Sequence, residues 1–195
     1  MDYREALDTA KNNGVSAATM ARKVFLSFPT HVFATNQDLE FELIDKVAQF
    51  FKVPFSGVQI VGSAKTGFSL IKNTAFDSIN SDLDIALVDR ELFAKYWEIA
   101  FTESDGFKVG SFQLVGQSQG TANDRRKRFL QLLQKGILSP EFFPQCMERG
   151  ELESQFQDLS KGYSKHFAKI SAFIYASETF FEAKQKIAVN RYWYK

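Results

Sequence analysis

Asp82 and Asp84 are the residues whose types and spacing most directly predict chemistry in this sequence of 195 residues. They lie at the start of a segment, 83–88, whose apolar and β-branched composition is typical of a strand. Because side chains alternate across a strand, both carboxylates are expected on one face and Leu83 on the other. Neighbouring carboxylates repel each other unless a cation compensates them, and Mg²⁺ or Mn²⁺ prefers such oxygen ligands. The pair therefore predicts a divalent-metal site; the alternative is an exposed edge strand whose polar face carries two Asp.

A second group of candidate residues, Gly62, Ser63 and Lys65, follows the apolar segment 55–61, which is predicted to be a buried strand. A glycine at the end of a strand allows a ligand to approach the backbone closely. Backbone amides and the Ser63 hydroxyl are suited to holding phosphate oxygens beside a metal, and Lys65 is suited to neutralising a phosphate. The alternatives are a simple strand-to-loop turn and, for Lys65, an exposed loop lysine.

The order of a strand, Gly62-Ser63, a polar connection and a strand with Asp82 and Asp84 resembles the nucleotidyltransferase superfamily, which is related to DNA polymerase β. The match covers residues 55–90, within VGSAKTGFSL and SDLDIALVD, and the rest of the chain in outline only. The resemblance implies a nucleotidyltransferase-like fold, with a small mixed β-sheet flanked by helices. It further implies a nucleoside triphosphate such as ATP as donor, with Gly62 and Ser63 at its β- and γ-phosphates. Asp82 and Asp84 would be the catalytic carboxylates that bind Mg²⁺.

The chemistry implied by the resemblance is in-line attack of an acceptor hydroxyl on the α-phosphorus, with pyrophosphate leaving and two Mg²⁺ ions at the reacting oxygens. The acceptor stays open among a protein hydroxyl, a tRNA end, a small molecule and another nucleotide. Compact bacterial members of the superfamily often belong to toxin–antitoxin or phage-defence systems, so the resemblance implies a role of that kind.

The sequence departs from the superfamily pattern at two points. The connection between Ser63 and Asp82 has 18 residues, which is longer than in minimal members. The superfamily normally supplies a third carboxylate from a later strand, and neither 109–115 nor 169–175 contains an Asp or Glu. Glu178, the first acid after the second segment, is a candidate for that role. The missing acid predicts weak or partner-dependent turnover. It also motivates a second hypothesis, a catalytically degenerate member that acts as a nucleotide sensor or a protein-binding scaffold.

The run Arg125-Arg126-Lys127-Arg128 is the densest cluster of basic residues in the sequence. It is either the solvated first half of a helix or a contact for triphosphate or for an acceptor nucleic acid, and it motivates a third hypothesis, a nucleic-acid-binding module. A formal net charge of +1 gives the whole chain no strong electrostatic preference for nucleic acid. The 21 Phe residues form either a Phe-rich core or a stacking surface for bases. A single cysteine, Cys146, predicts no internal disulfide.

The elements that must position these residues predict one α/β domain over 1–195, with N-terminal helices in 1–54, a sheet core in 55–120 and a mainly helical portion in 121–195. Strands are predicted at 55–61, 83–88 and 109–115, and polar connections at 68–81 and 116–121. Helices are predicted within 1–30, after Asn36, after Asp89, at 123–135, at 151–167 and at the C-terminus. The segment 170–175 is ambiguous between a strand and a helix. The strand with the two Asp is expected beside the strand that ends at Val61, with its carboxylates facing Gly62-Ser63.

The N-terminal sequence is polar and acidic, unlike a signal peptide. No apolar run approaches the roughly 20 residues that span a bilayer. These features predict a soluble, cytoplasmic protein that has no membrane partner.

Overall fold

A computed structural model describes residues 1–114 and 119–195 of the chain. The helices are α1 (Tyr3–Asn12), α2 (Ala17–Arg22), α3 (Gln37–Phe51), α4 (Gly62–Thr66), α5 (Arg90–Glu103), α6 (Gln119–Leu133), α7 (Met147–Gly162) and α8 (Glu178–Trp193). The strands are β1 (Val58–Val61), β2 (Leu83–Val88), β3 (Ile137–Leu138) and β4 (Ile170–Tyr175). The predicted mixed α/β class, with a small sheet flanked by helices, is confirmed.

The four strands form one mixed sheet in the order β1-β2-β4-β3. β1 runs antiparallel to β2, β2 runs parallel to β4, and β3 runs antiparallel to β4. Asp84 lies at the centre of this register, paired with Val61 on one side and with Ser171 on the other. β3 pairs only with Ile174 and Tyr175, so within the described residues no strand pairs with the outer edge of 170–173.

Both faces of the sheet are buried. Leu83, Ile85 and Leu87 are fully buried on one face, in a core cluster that includes α3, α5 and α7. Ala86 and Tyr175 belong to the cluster on the other face, which includes α1, α2 and α8. Burial on both faces explains why β2 is continuously apolar after its acidic start. Many of the Phe side chains lie in these two clusters, which favours the core interpretation of the Phe content over a stacking surface.

Polar side chains cap the helices where the sequence predicted helix starts. The Asn36 carboxamide oxygen accepts a hydrogen bond of 3.1 Å from the Leu39 amide at the start of α3. The Asp89 carboxylate accepts one of 2.7 Å from the Leu92 amide at the start of α5. A short π-helix extends α2 as far as Ser27, two residues before Pro29, which lies within the range 1–30 predicted to be helical. The predicted helices within 1–30, after Asn36 and after Asp89 are therefore confirmed.

The predicted strand at 109–115 is wrong for the part that the structure describes, and Val115 lies outside it. Val109–Phe112 is a 3₁₀-helix, and the fully buried Phe112 packs on Phe129 of α6 with 5.4 Å between ring centroids. This contact keeps the segment against the helix, and Gly110 weakens any strand preference. The sheet position beside β4 is taken by β3, which the sequence did not predict.

The C-terminal portion contributes more to the sheet than the sequence predicted. The ambiguous segment 170–175 is β4, a central strand, and β3 lies in the same portion. Of the predicted loop at 116–121, residues 119–121 belong to α6, and 116–118 lie outside the described residues. The predicted strand at 55–61 begins as a 3₁₀-helix and becomes extended only at Val58. In the described part of the chain, no helix is both long and apolar enough to cross a bilayer.

Candidate functional site

The two aspartates lie at the start of β2, next to the strand that carries the Gly-Ser motif. Asp84 is the second residue of β2, and its register partner on β1 is Val61, the residue directly before Gly62. Asp82 immediately precedes the strand and is exposed, whereas Asp84 is half-buried. The predicted neighbourhood of the two motifs is therefore confirmed.

Gly62 and the Asp84 carboxylate are in direct contact. Gly62 has a φ of +68°, a conformation that only glycine adopts readily. A Cβ atom at this position would lie 2.6 Å from Asp84 Oδ2, well inside contact distance. The absence of a side chain therefore makes room for the carboxylate, which faces the Gly-Ser motif as the sequence predicted. Residues 62–66 form the short helix α4 where the sequence predicted a phosphate loop, and Ser63 is half-buried within it.

The ionised form of the Asp84 carboxyl is disfavoured by its surroundings. Burial raises its pKa above the usual value. A hydrogen bond of 3.0 Å from the Ser171 hydroxyl to Asp84 Oδ1 opposes this rise, the charge of Asp82 adds to it, and Lys169 and Lys72 lower the pKa more weakly. A cation bound beside Asp82 and Asp84 would favour the ionised form of both carboxylates.

Ser171 occupies the position at which β4 faces Asp84. It is the register partner of Asp84 on the neighbouring parallel strand, and its hydroxyl bonds to the carboxylate. A third carboxylate on β4 that faces Asp84 would have to lie at this position, and the residue present is a serine. The alternative candidate, Glu178, is excluded, because it follows the far end of β4 beyond Tyr175. At about 3.3 Å per strand residue, that end lies about 13 Å from Ser171.

The described residues hold no cluster of three or more His, Cys, Asp or Glu side chains that would complete a metal site. Asp82 and Asp84 still fit Mg²⁺ or Mn²⁺ in kind, because they supply carboxylate oxygens and leave positions for substrate phosphate oxygens. Mg²⁺ characteristically binds through one or two carboxylates together with substrate phosphates. The donor set therefore matches a metal that arrives with a nucleotide better than a permanent structural ion.

A cavity of about 610 Å³ opens at the unpaired edge of β4 and includes both aspartates. Its volume lies in the usual range for small-molecule sites. The residues that line it are Asp82, Asp84, Arg125, Ser139, Pro140, Glu141, Arg149, Glu153, Phe156, Gln157, Ser160, Lys169, Ile170, Ser171, Ala172 and Phe173. The wall therefore combines carboxylates at the start of β2 with basic side chains from α6, α7 and the segment before β4. This arrangement suits an anionic ligand that also binds a metal.

The basic run at 125–128 divides between the cavity and the surface. Arg125 lines the cavity. Arg126 donates from Nε to the Phe107 carbonyl, which fixes it to the turn before Val109. Lys127 is exposed, and the exposed Arg128 lies over the Phe142 ring at 5.9 Å from its centroid. The run therefore divides between the two alternatives. Arg125 lines the cavity, where it can contact a ligand, and Lys127 and Arg128 lie on the solvated face of the helix.

Lys65 lies away from the cavity wall. Its side chain is 6% exposed, and its ammonium donates a hydrogen bond of 2.7 Å to the Phe28 carbonyl, with Thr30 Oγ1 at 3.5 Å. Burial lowers the pKa of Lys65, and Glu40 opposes this effect. Lys65 is thus neither an exposed loop lysine nor a residue of the cavity wall. Its side chain is buried and links α4 to the segment after α2. We leave Lys65 out of the proposed nucleotide site for this reason.

Replacing Lys65 with Met is expected to lower the free energy of unfolding by about 1–2 kcal/mol, because the Phe28 carbonyl loses its donor. Nucleotide binding by the folded fraction should stay unchanged. Chemical denaturation and calorimetry measure the two effects, and Lys186→Met, at an exposed position of α8, serves as the control. Weaker nucleotide binding at unchanged stability would instead return Lys65 to the phosphate site.

The sequence interpretation missed Ser171, Arg149 and Lys169 as cavity residues. Ser171 lies in a segment whose secondary structure was ambiguous, and only the parallel pairing of β2 with β4 brings it to Asp84. Arg149 is one of several charged residues in a polar helix sequence, and nothing in its local pattern distinguishes it. Once 170–175 is read as a strand, alternation alone would have placed Ser171 and Phe173 on one face.

The chain matches no protein-family model, no curated protein and no solved structure in the three comparisons made with known proteins.

Proposed function

We propose that this protein is a Mg²⁺-dependent nucleotidyltransferase that uses a nucleoside triphosphate as donor. The observation that carries the proposal is the contact between the Asp84 carboxylate and the Gly62 backbone. Asp84 also lines a cavity of about 610 Å³, whose described lining includes both aspartates but neither Gly62 nor Ser63. In the proposed site, Asp82 and Asp84 would hold the metal, and Gly62 with Ser63 would bind the β- and γ-phosphates. The resemblance of the two motifs to the nucleotidyltransferase superfamily supports the same assignment.

The bound metal would neutralise the triphosphate and stabilise the attacking and leaving oxygens. The chain's own contribution is to hold the reactants. The fixed start of β2 orients Asp84 against Gly62, and Lys169 places a positive charge beside Asp84. A hydroxyl acceptor would attack the α-phosphorus from the open side of the cavity, and pyrophosphate would leave.

A second candidate function is a nucleotide sensor or protein-binding scaffold without transfer activity. Ser171 favours it, because a hydroxyl rather than an acid faces Asp84 from β4. A hydroxyl hydrogen-bonded to a carboxylate is a poor general base, so the described residues leave deprotonation of the acceptor unassigned. We therefore expect weak or partner-dependent transfer from the chain alone, with a partner protein as one source of the missing group.

The first test is metal-dependent nucleotide binding. A nonhydrolysable ATP analogue is expected to bind about tenfold more tightly in Mg²⁺ than in EDTA, because Asp82 and Asp84 would hold a cation that neutralises the charge of the phosphates. The double variant Asp82→Ala with Asp84→Ala should abolish this difference. Calorimetry at matched ionic strength measures it, with Asp45→Ala, an acid on α3 outside the cavity, as the control. Equal binding with and without metal by the native chain would remove the two-carboxylate assignment.

The acceptor, the pathway and the cellular location remain part of the proposal. A role in bacterial toxin–antitoxin or phage defence follows only from the resemblance, and a cytoplasmic location follows only from the polar N-terminal sequence and the lack of a long apolar run. A nucleic-acid acceptor draws limited support from the exposed Lys127 and Arg128, and a protein acceptor is equally compatible with the cavity.

A further inference from the structure

Arg149 is a buried cation in the wall of the cavity. Its side chain is 6% exposed, and it is held by a hydrogen bond of 3.0 Å from Nη1 to the Phe143 carbonyl. Nε and Nη2 both lie near Glu153 Oε1, at 2.8 Å and 2.7 Å. These contacts fix the plane of the guanidinium, so any ligand in the cavity meets a cation of defined orientation.

Arg125 is the second cation of this wall, and it has an unsatisfied donor. Nη2 donates to the Glu141 carbonyl, and the guanidinium lies 5.9 Å from the centroid of the Phe142 ring. Nε is buried and has no hydrogen-bond partner among the described residues. A buried donor without a partner is uncommon in a folded protein, and such a donor often marks the place where a ligand or an ion binds.

The two guanidinium groups also repel each other. Burial lowers the pKa of Arg125, and the positive charge of Arg149 lowers it further, while Glu141 and Glu153 oppose both effects. Three cations and four carboxylates line the cavity as a whole. If a metal engages Asp82 and Asp84, two carboxylates remain for Arg125, Arg149 and Lys169. The cavity as a whole then has one more cationic than anionic side chain, while Glu141 and Glu153 balance Arg125 and Arg149 on the side of α6 and α7.

We propose that Arg125 and Arg149 form a phosphoryl-binding site at the α6–α7 side of the cavity, separate from the Gly62-Ser63 motif. An oxyanion there would lie between two positive charges, and it would satisfy the Nε donor of Arg125 once the side chain turns that buried atom toward the cavity. A phosphoryl group fits best, because the planar donor fork of arginine matches its oxygens. This inference rests on the proposed function in taking the ligand to be a nucleotide or a phosphorylated acceptor.

Two sources can supply the phosphoryl group, the triphosphate of the donor and a phosphate of the acceptor. If it belongs to the donor, Arg125→Gln weakens binding of a nonhydrolysable ATP analogue with Mg²⁺. If it belongs to the acceptor, the same variant leaves analogue binding intact. It then weakens binding of inorganic phosphate to the chain already saturated with the analogue and Mg²⁺.

The primary experiment measures tripolyphosphate and inorganic phosphate binding in EDTA by calorimetry. Because it needs no metal, it can fail or succeed independently of the assignment of Asp82 and Asp84. Arg125→Gln is expected to weaken tripolyphosphate binding about tenfold, which corresponds to one charge-assisted hydrogen bond. Lys127→Gln removes the same charge from the same helix at an exposed position outside the cavity, and it should change binding less than about twofold.

Arg149→Lys provides a second variant that keeps the charge but loses the planar fork. It is expected to weaken tripolyphosphate binding severalfold while the chain stays folded, as checked by circular dichroism melting. Equal weakening by Arg125→Gln and Lys127→Gln would show general electrostatic attraction and overturn the site. Absence of phosphate and tripolyphosphate binding to the native chain, both in EDTA and on top of the analogue, would also overturn it.

Discussion

Replacing Gly62 with Ala is expected to abolish metal-dependent nucleotide binding and to destabilise the fold. The left-handed backbone at a φ of +68° alone disfavours an alanine by about 1–2 kcal/mol. The added Cβ would meet Asp84 Oδ2 at 2.6 Å, so the carboxylate must move away from its place beside β1. Mg²⁺ demands near-ideal octahedral geometry, and displacements of about 1 Å at such sites reduce function about a hundredfold.

The measurement combines chemical denaturation with calorimetry of the ATP analogue in Mg²⁺ and in EDTA. Gly162→Ala is the matched control, because Gly162 ends α7 with an ordinary backbone conformation and no heavy atom within 4 Å of an added Cβ. That variant should bind normally and be as stable as the native chain or slightly more stable. Normal metal dependence in Gly62→Ala would show that the Asp84 position beside Gly62 is unimportant for the site.

Much of the candidate site was readable from local sequence because its parts are local. Asp84 belongs to a strand whose composition is unambiguous, Asp82 directly precedes that strand, and Gly62 follows another apolar segment directly. A glycine between a strand and a polar segment already indicates a position where a side chain is not tolerated. The sequence also predicted that the two strands are neighbours, and the observed pairing of Val61 with Asp84 fixes their register.

The rest of the site depends on contacts between distant segments, which periodicity does not reveal. Ser171 meets Asp84 only because β4 inserts beside β2, 87 residues later in the chain. β3 has two residues, too few for a pattern, yet its shortness is what leaves the edge of β4 open to the cavity. Conversely, the apolar residues at 109–114 resembled a strand, and the packing of Phe112 on Phe129 made them a 3₁₀-helix.

The contact made by Lys65 likewise depends on a distant segment and could not be predicted from its local sequence. A lysine two positions after Ser63 suits a phosphate as well as it suits a protein carbonyl. The choice is made by the segment after α2, which brings the Phe28 carbonyl to 2.7 Å from its ammonium. No short sequence window contains both residues.

Replacing Ser171 with Asp is expected to raise nucleotidyl transfer about a hundredfold if the proposed enzyme lacks only a third carboxylate. The new acid would face Asp84 from β4, at the place where the Ser171 hydroxyl now donates across 3.0 Å. Without metal, the added charge should destabilise the chain, because carboxylates at this half-buried position repel each other. Mg²⁺ should restore the lost stability, because it offsets the repulsion between the carboxylates. The metal-induced rise in melting temperature should therefore be larger for this variant than for the native chain.

The transfer assay uses each α-³²P-labelled nucleoside triphosphate with Mg²⁺ or Mn²⁺ and candidate RNA and protein acceptors. Ser171→Asn is the control, because it has the shape of aspartate without the charge and should give neither effect. A larger metal-induced melting shift without any transfer would favour the sensor or scaffold function. Fast transfer by the native chain, lost in Ser171→Asp, would mean that the serine itself completes the site and that no third acid is needed. If neither the melting shift nor transfer responds to the new acid, the metal does not bind between β2 and β4.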